Sequence, residues 1–196
     1  MRYVRAIAAA SECRSISGNE RAAEFRSEYY NGRMFAMAGG SLRQALIIAN
    51  LVRRLGNAFD GSPCRVVSSD LRVQVSPDGL HTYPDVVVVC GPPELRDSHK
   101  DTLLSPTLVI EILSPSTEAY DRGFKSAQYR TLKSLKEYAL VSQSEPRVEL
   151  FRRHSGNDWL LTDSIGLQSA CRFDSVGCEI PLAQVYDQVS FDETGV

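Results

Sequence analysis

Asp85 and Glu111 each place a carboxylate inside an apolar run that reads as a core strand. Asp85 heads Tyr83-Pro84-Asp85-Val86-Val87-Val88-Val89-Cys90, and Glu111 interrupts Thr107-Leu108-Val109-Ile110-Glu111-Ile112-Leu113. Both runs are rich in β-branched residues and bounded by proline or glycine, the pattern of short buried strands. An ionised carboxylate buried alone is costly, so each acid calls for a basic partner, a proton or a bound cation. One divalent metal shared by the two would serve. Two hard oxygen ligands, with the backbone carbonyl of Ile112 as a third, suit Mg2+ or Mn2+, and such an ion can activate water and offset phosphoryl charge. Lys125, fourteen positions beyond Glu111, could then hydrogen-bond the attacking water and the scissile phosphate. The chemistry pointed to is metal-assisted phosphodiester hydrolysis. Each residue also has an ordinary role: Asp85 as the strand-entry residue of a Pro-Asp step, Glu111 as an edge-strand acid paired to arginine, Lys125 as a solvated helix residue. The joint pattern carries the reading.

The elements that must position these groups are legible in outline. Residues 1–24 are small, polar and aperiodic, an arm or short helix. Glu28 to Met37 reads as a hairpin about Asn31-Gly32. Gly39-Gly40-Ser41 supplies a turn and N-cap for a helix from Leu42 to Leu55, with apolar residues at helical spacing and Gly56 as its end. Leu71 to Val75 alternates like a half-exposed strand and is expected to pair antiparallel with the strand holding Asp85. After the Glu111 strand, residues 118–134 read as a helix bearing Arg122, Lys125, Arg130 and Lys133, and Glu137 to Ser142 resumes strand. That order implies a crossover between two neighbouring parallel strands. Arg147 to Arg153 and Trp159 to Thr162 are expected as antiparallel additions at one side, with Glu179 to Tyr186 peripheral and 191–196 a tail.

Composition allows one domain, here residues 25–190. The chain has 196 residues, 43% of them hydrophobic, and a formal charge of −2 from 22 basic and 24 acidic side chains. No basic excess announces nucleic acid, although a nuclease needs only a local basic surface. The five cysteines, Cys13, Cys64, Cys90, Cys171 and Cys178, contain no Cys-x-x-Cys pair, so a zinc site is not expected and they read as reduced thiols of a cytoplasmic protein. No run approaches the roughly 18 to 20 apolar residues of a membrane span.

The stretch from Tyr83 to Tyr138 resembles the Uma2 family, also called domain of unknown function 820, of restriction-type endonucleases. The residues that carry the resemblance are Tyr83-Pro84-Asp85-Val86, Pro106 to Thr117 around Glu111, Asp121-Arg122-Gly123-Phe124-Lys125 with Tyr129-Arg130, and Ser134 to Tyr138. Upstream, Glu28-Tyr29, Met37 to Ser41, Asn50-Leu51 and Ser69 to Val73 are similar too. The resemblance implies an α/β (α+β) restriction-endonuclease-like PD-(D/E)XK core, a central mixed β-sheet flanked by helices, with Asp85 and Glu111 as the motif acids. The position two after Glu111 is Leu113, and the motif lysine is matched instead by Lys125 on the following helix. Where the family commonly has a histidine on the first long helix, this chain has Gln44, which can hydrogen-bond but not titrate. Glu28 and Asp70 match family positions near the site, and Arg122, Arg130 and Lys133 are candidate phosphate contacts.

These readings converge on a Mg2+- or Mn2+-dependent endonuclease acting on DNA, in the cytoplasm, as a homodimer because two-stranded cleavage needs two sites. A second reading keeps the fold without turnover, as a nucleic-acid-binding or partner-binding module. A third is a structural homodimer component with no salt-dependent DNA affinity.

Overall fold

The computed structural model describes residues 27–30, 33–36, 39–76 and 79–191; the expected arm, the Asn31-Gly32 turn and the tail beyond 191 lie outside the described residues. A mixed six-stranded sheet runs in the order β11-β10-β9-β8-β6-β3. Its strands are β3 (Cys64–Ser68), β6 (Val86–Cys90), β8 (Leu108–Ile112), β9 (Glu137–Val141), β10 (Arg147–Arg153) and β11 (Trp159–Ile165). β8 and β9 are parallel, with Glu111 beside Leu140, and the other pairings are antiparallel. The predicted crossover and the two antiparallel additions are therefore present.

β6, β8 and β9 are buried on both faces, which explains their unbroken apolar sequences. Val86, Val88, Leu108, Ile110 and Ile112 point to one core, and Val87, Val89, Val109 and Leu113 to the other. Glu111 occupies the second face at the position where the period-two pattern calls for another apolar side chain. The first core is closed by α1 (Leu42–Ala58) and by the hairpin of β12 (Ala170–Phe173) and β13 (Cys178–Pro181) with the short α4 (Leu182–Val185). Ser41 caps α1 by accepting the Gln44 N–H at 3.0 Å. Gly56 does not end this helix, which continues to Ala58 because no backbone break is forced there. Glu179 to Tyr186 is not peripheral, since Ile180, Leu182 and Val185 are buried against α1 and the sheet.

The second face is covered by a five-stranded sheet in the order β2-β1-β5-β4-β7. It comprises β1 (Ser27–Tyr30), β2 (Arg33–Ala36), β4 (Arg72–Gln74), β5 (His81–Thr82) and β7 (Thr102–Leu103). The β1–β2 hairpin is as expected. The expected partner of the Leu71–Val75 region is corrected: β4 pairs with β5, and the chain then crosses to the other sheet through Tyr83-Pro84-Asp85. Proline has no N–H to donate to a ladder, so the switch falls where pairing must lapse. Asp85 thus sits at the seam between the two sheets.

The crossover consists of α2 (Glu118–Tyr120), a π turn (Asp121–Lys125) and α3 (Ser126–Tyr129), shorter than the predicted 118–134 helix. The expectation of reduced thiols fails for one pair: Cys64 and Cys90 face each other across the β3–β6 register and form a disulfide. Antiparallel pairing itself brings the two sulfurs together. Cys171 and Cys178 are buried free thiols. Among the described residues, no helix is long and apolar enough to cross a membrane.

Candidate active site

Lys125 is the hub of the site. It emerges from the last position of the π turn onto the sheet face that carries Glu111, and is only 5% exposed. Its Nζ lies 2.9 Å from Glu111 Oε1, 2.9 Å from Glu28 Oε1 and 3.5 Å from Asp121 Oδ1. β8 delivers Glu111, β1 delivers Glu28, and the one-turn spacing of Asp121 and Lys125 puts those two on one helical face. Tyr129, a further turn along, donates its hydroxyl to Glu111 Oε1 at 2.9 Å. The Thr82 hydroxyl donates to Glu28 Oε1.

Asp85 completes the cluster from the seam. Its Oδ2 accepts the Ile112 N–H at 2.8 Å, its Oδ1 accepts the Gln44 amide at 3.0 Å, and its own N–H reaches Glu111 Oε2 at 3.4 Å. The two motif acids are therefore side by side, laced through each other's strand ends. Ile112 meets Asp85 through its N–H; no contact of its carbonyl with the acids is seen among the described residues.

Three carboxylates contact one ammonium and a fourth, Asp85, feels its charge, and the acidities register the imbalance. Burial pushes Glu111 up to about 8; Lys125 opposes this, while Asp121 and Asp85 add to it. Burial likewise raises Asp85, against the pull of the Ile112 N–H, Lys125 and Gln44, and raises Asp121. For Lys125 burial works the other way, but Glu111 and Glu28 outweigh it and hold the amine well above its ordinary value. The lysine is thus a permanent cation and hydrogen-bond donor, while Glu111 is an acid poised to exchange its proton for another cation.

The donor set fits Mg2+. Among the described residues no three His, Cys, Asp or Glu side chains form a ready metal cage, because the ammonium stands at the centre. What remains is a pair of adjacent carboxylates, with Glu111 Oε2 engaged only by the long contact from the Asp85 N–H. One or two carboxylates, with water and substrate phosphate filling the other positions, is how Mg2+ is ordinarily held.

The other sequence candidates divide. Gln44 supports Asp85 directly and Glu28 binds Lys125, so both belong to the cluster. Asp70 is exposed in the turn between β3 and β4. Arg122 is turned to Glu118 at 2.7 Å and to Glu149, Arg130 lies beyond the end of α3 beside Trp159, and Lys133 is exposed in the following turn. Sequence reasoning missed Asp121, Thr82 and Tyr129. The first and last were signalled by their spacing of four from Lys125; Thr82, in a two-residue strand, left no periodic trace.

Comparison with known proteins agrees with this architecture. The profile of Uma2, described as "Putative restriction endonuclease", matches residues 14–171. Two uncharacterized proteins of Synechocystis sp. are similar: slr1290, 35% identical over 168 residues covering 85% of this chain and 86% of its own, and sll1609, 30% identical over 158 residues covering 81% and 89%. A crystal structure from Anabaena variabilis, described as a "putative nuclease belonging to DUF820", superposes with a TM-score of 0.70 at 16% identity, covering 86% of this chain and 93% of that one. The core is thus restriction-endonuclease-like, and the chain belongs to the Uma2 family.

Proposed function

We propose that this protein is a Mg2+-dependent endonuclease, also able to use Mn2+, that hydrolyses phosphodiester bonds of DNA. The observation that carries the reading is the contact of Lys125 Nζ with Glu111 at 2.9 Å, on the same carboxylate whose other oxygen meets the Asp85 N–H. Charges far apart in sequence converge where a reacting phosphate needs both metal ligands and a fixed cation. A metal ion held by Asp85 and Glu111 would supply charge neutralisation and a more acidic water.

The protein's own groups do the rest. The ammonium of Lys125 has three N–H donors, shared among Glu111, Glu28 and the more distant Asp121, so an arriving phosphoryl oxygen can take the place of the 3.5 Å contact. Being permanently charged, Lys125 acts by orienting water and offsetting negative charge as it develops on phosphorus-bound oxygen, not by accepting a proton. Tyr129 and Thr82 hold Glu111 and Glu28 in place, and Gln44 keeps Asp85 turned toward Glu111. A homodimer would present two such clusters to the two strands of a duplex.

Supercoiled plasmid with Mg2+ or Mn2+ tests this. Wild type should nick it, whereas Lys125→Ala and Glu111→Gln should not; nicking equal in all three preparations would mark a contaminant and end the proposal. Calorimetry should show metal heats for wild type that Asp85→Ala lacks.

A further inference from the structure

At the opposite end of β8 and β9 the chemistry reverses. Lys136 donates its N–H to Thr107 O at 2.9 Å, four residues along β8 from Glu111, or roughly 13 Å. The run from Ser126 to Lys136 contains Arg130, Lys133 and Lys136 and no acid. Among the described residues none of these three forms an ion pair. Beside them, Arg153 is clamped by carbonyls of Leu135, Arg130 and Leu132 at 2.9, 3.0 and 2.7 Å. Its guanidinium lies over the ring of Trp159, 4.4 Å from the centroid. The β10–β11 turn, with Gly156 at a φ of 58°, brings Asn157 to the same place. Trp159, Asn157, Arg130, Thr131 and Ala127 line an open groove of about 480 Å³.

An aromatic ring braced by a fixed guanidinium, a side-chain amide able both to donate and to accept, and a row of unpaired cations make a set that matches one ligand chemistry. The ring offers a stacking surface, the amide reads a base edge and the cations meet phosphate. A base within a duplex has both faces occupied, so only an unstacked base can use the ring. We propose that this groove is a second nucleic-acid site, taking an unpaired nucleotide of a single strand with its base against Trp159 and its phosphates against Arg130 and Lys133. The proposal rests on the nucleic-acid reading of the catalytic cluster and extends it: the groove and the cluster lie on the same sheet face, one holding the strand that the other cuts.

Trp159 is the only tryptophan of the chain, so its emission reports the groove directly. The full-length protein is titrated in EDTA, where no cleavage occurs, with a twelve-nucleotide oligo(dT), with oligo(U) of the same length and with a twelve-base-pair duplex; labelled oligonucleotide gives anisotropy in parallel. The expected result is quenching by single strands and weaker binding of duplex. Arg130→Ala and Lys133→Ala should each lower the salt slope by about 0.7. Trp159→Ala should weaken anisotropy-detected binding roughly 5- to 150-fold, and Trp159→Phe should restore most of it. Quenching by either single strand supports the site, and the tighter of the two names its sugar. No quenching, equal quenching by duplex, or affinity indifferent to both cation variants overturns it. Plasmid nicking is scored separately: quenching without nicking leaves the groove standing and removes the nuclease reading, whereas nicking without quenching does the reverse.

Discussion

Glu111 and Glu137 stand on neighbouring parallel strands, both fully inside the protein at 3% and 0% exposure, yet their surroundings could hardly differ more. Glu137, on the α1 side of the sheet, is saturated: Arg152 Nε donates to it at 2.7 Å, the Asp174 and Ser175 amides each at 3.1 Å, and the Ser175 hydroxyl as well. One acid meets one guanidinium and a turn built to receive it. Glu111 shares a single ammonium with Glu28 and Asp121, has Asp85 beside it, and leaves one oxygen lightly used. A buried carboxylate is a structural tie when donors match its lone pairs, and a reactive group when like charges crowd it.

The comparison breaks first on activity. Lys125→Ala should cut nicking by ~10² to 10³, whereas Glu137→Ala should leave the rate of folded protein unchanged; initial rates on supercoiled plasmid decide. Stability should run the other way. Glu137→Ala strands two amides, and should cost about 3 kcal/mol in urea unfolding, the low end for a broken buried pair because Arg152 keeps Asp174 at 2.8 Å. Glu111→Gln should hold or raise the melting temperature at about pH 8 while abolishing nicking, because it removes a carboxylate that burial disfavours. A loss as large as that of Glu137→Ala would show Glu111 to be a tie of the same kind.

Acidity sharpens the contrast. In the folded chain Glu111 keeps its proton up to about pH 8, against an ordinary value of 4.5. The unfolded chain releases that proton sooner, so the stability contributed by this group is full below about pH 4.5 and is lost as pH rises toward 8. A bound cation must displace the proton. The rise in melting temperature on adding Mg2+ should therefore be larger at about pH 8.5 than at about pH 6.5, and a shift independent of pH would contradict the assignment of Glu111 as a ligand. The smallest effect is expected at Gln44: losing its 3.0 Å bond to Asp85 in Gln44→Ala should weaken Mg2+ binding by about 10-fold in calorimetry, as for other groups that orient a ligand.

Sequence alone exposed the acids because β6 and β8 are long, β-branched and buried on both faces, so a charge within them stands out. Lys125 stood out only beside them. Thr82 lies in β5, a two-residue strand too short for any period to show, and because β5 leaves no trace in the sequence the true partner of β4 is not legible there. The disulfide was hidden for a related reason, since β3 is partly exposed and reads poorly as a strand, so Cys64 had no visible neighbour. Asp121 and Tyr129, each four positions from Lys125, carry a signal only once that lysine is taken as the centre of the site.

The π turn of the crossover has a consequence for comparing related chains. Asp121 O accepts both the Ser126 N–H and, at 3.1 Å, the hydroxyl of Tyr138 on β9, so the wider loop of backbone is pinned from the adjacent strand. Deleting one residue there, such as Gly123, would rewind the segment to the ordinary pitch with the flanking turns still in phase, while the count of positions between Glu111 and Lys125 falls by one. Counting positions from Glu111 is then a poor way to find the equivalent lysine in a relative; angular phase relative to the tyrosine that fastens the crossover is the better ruler.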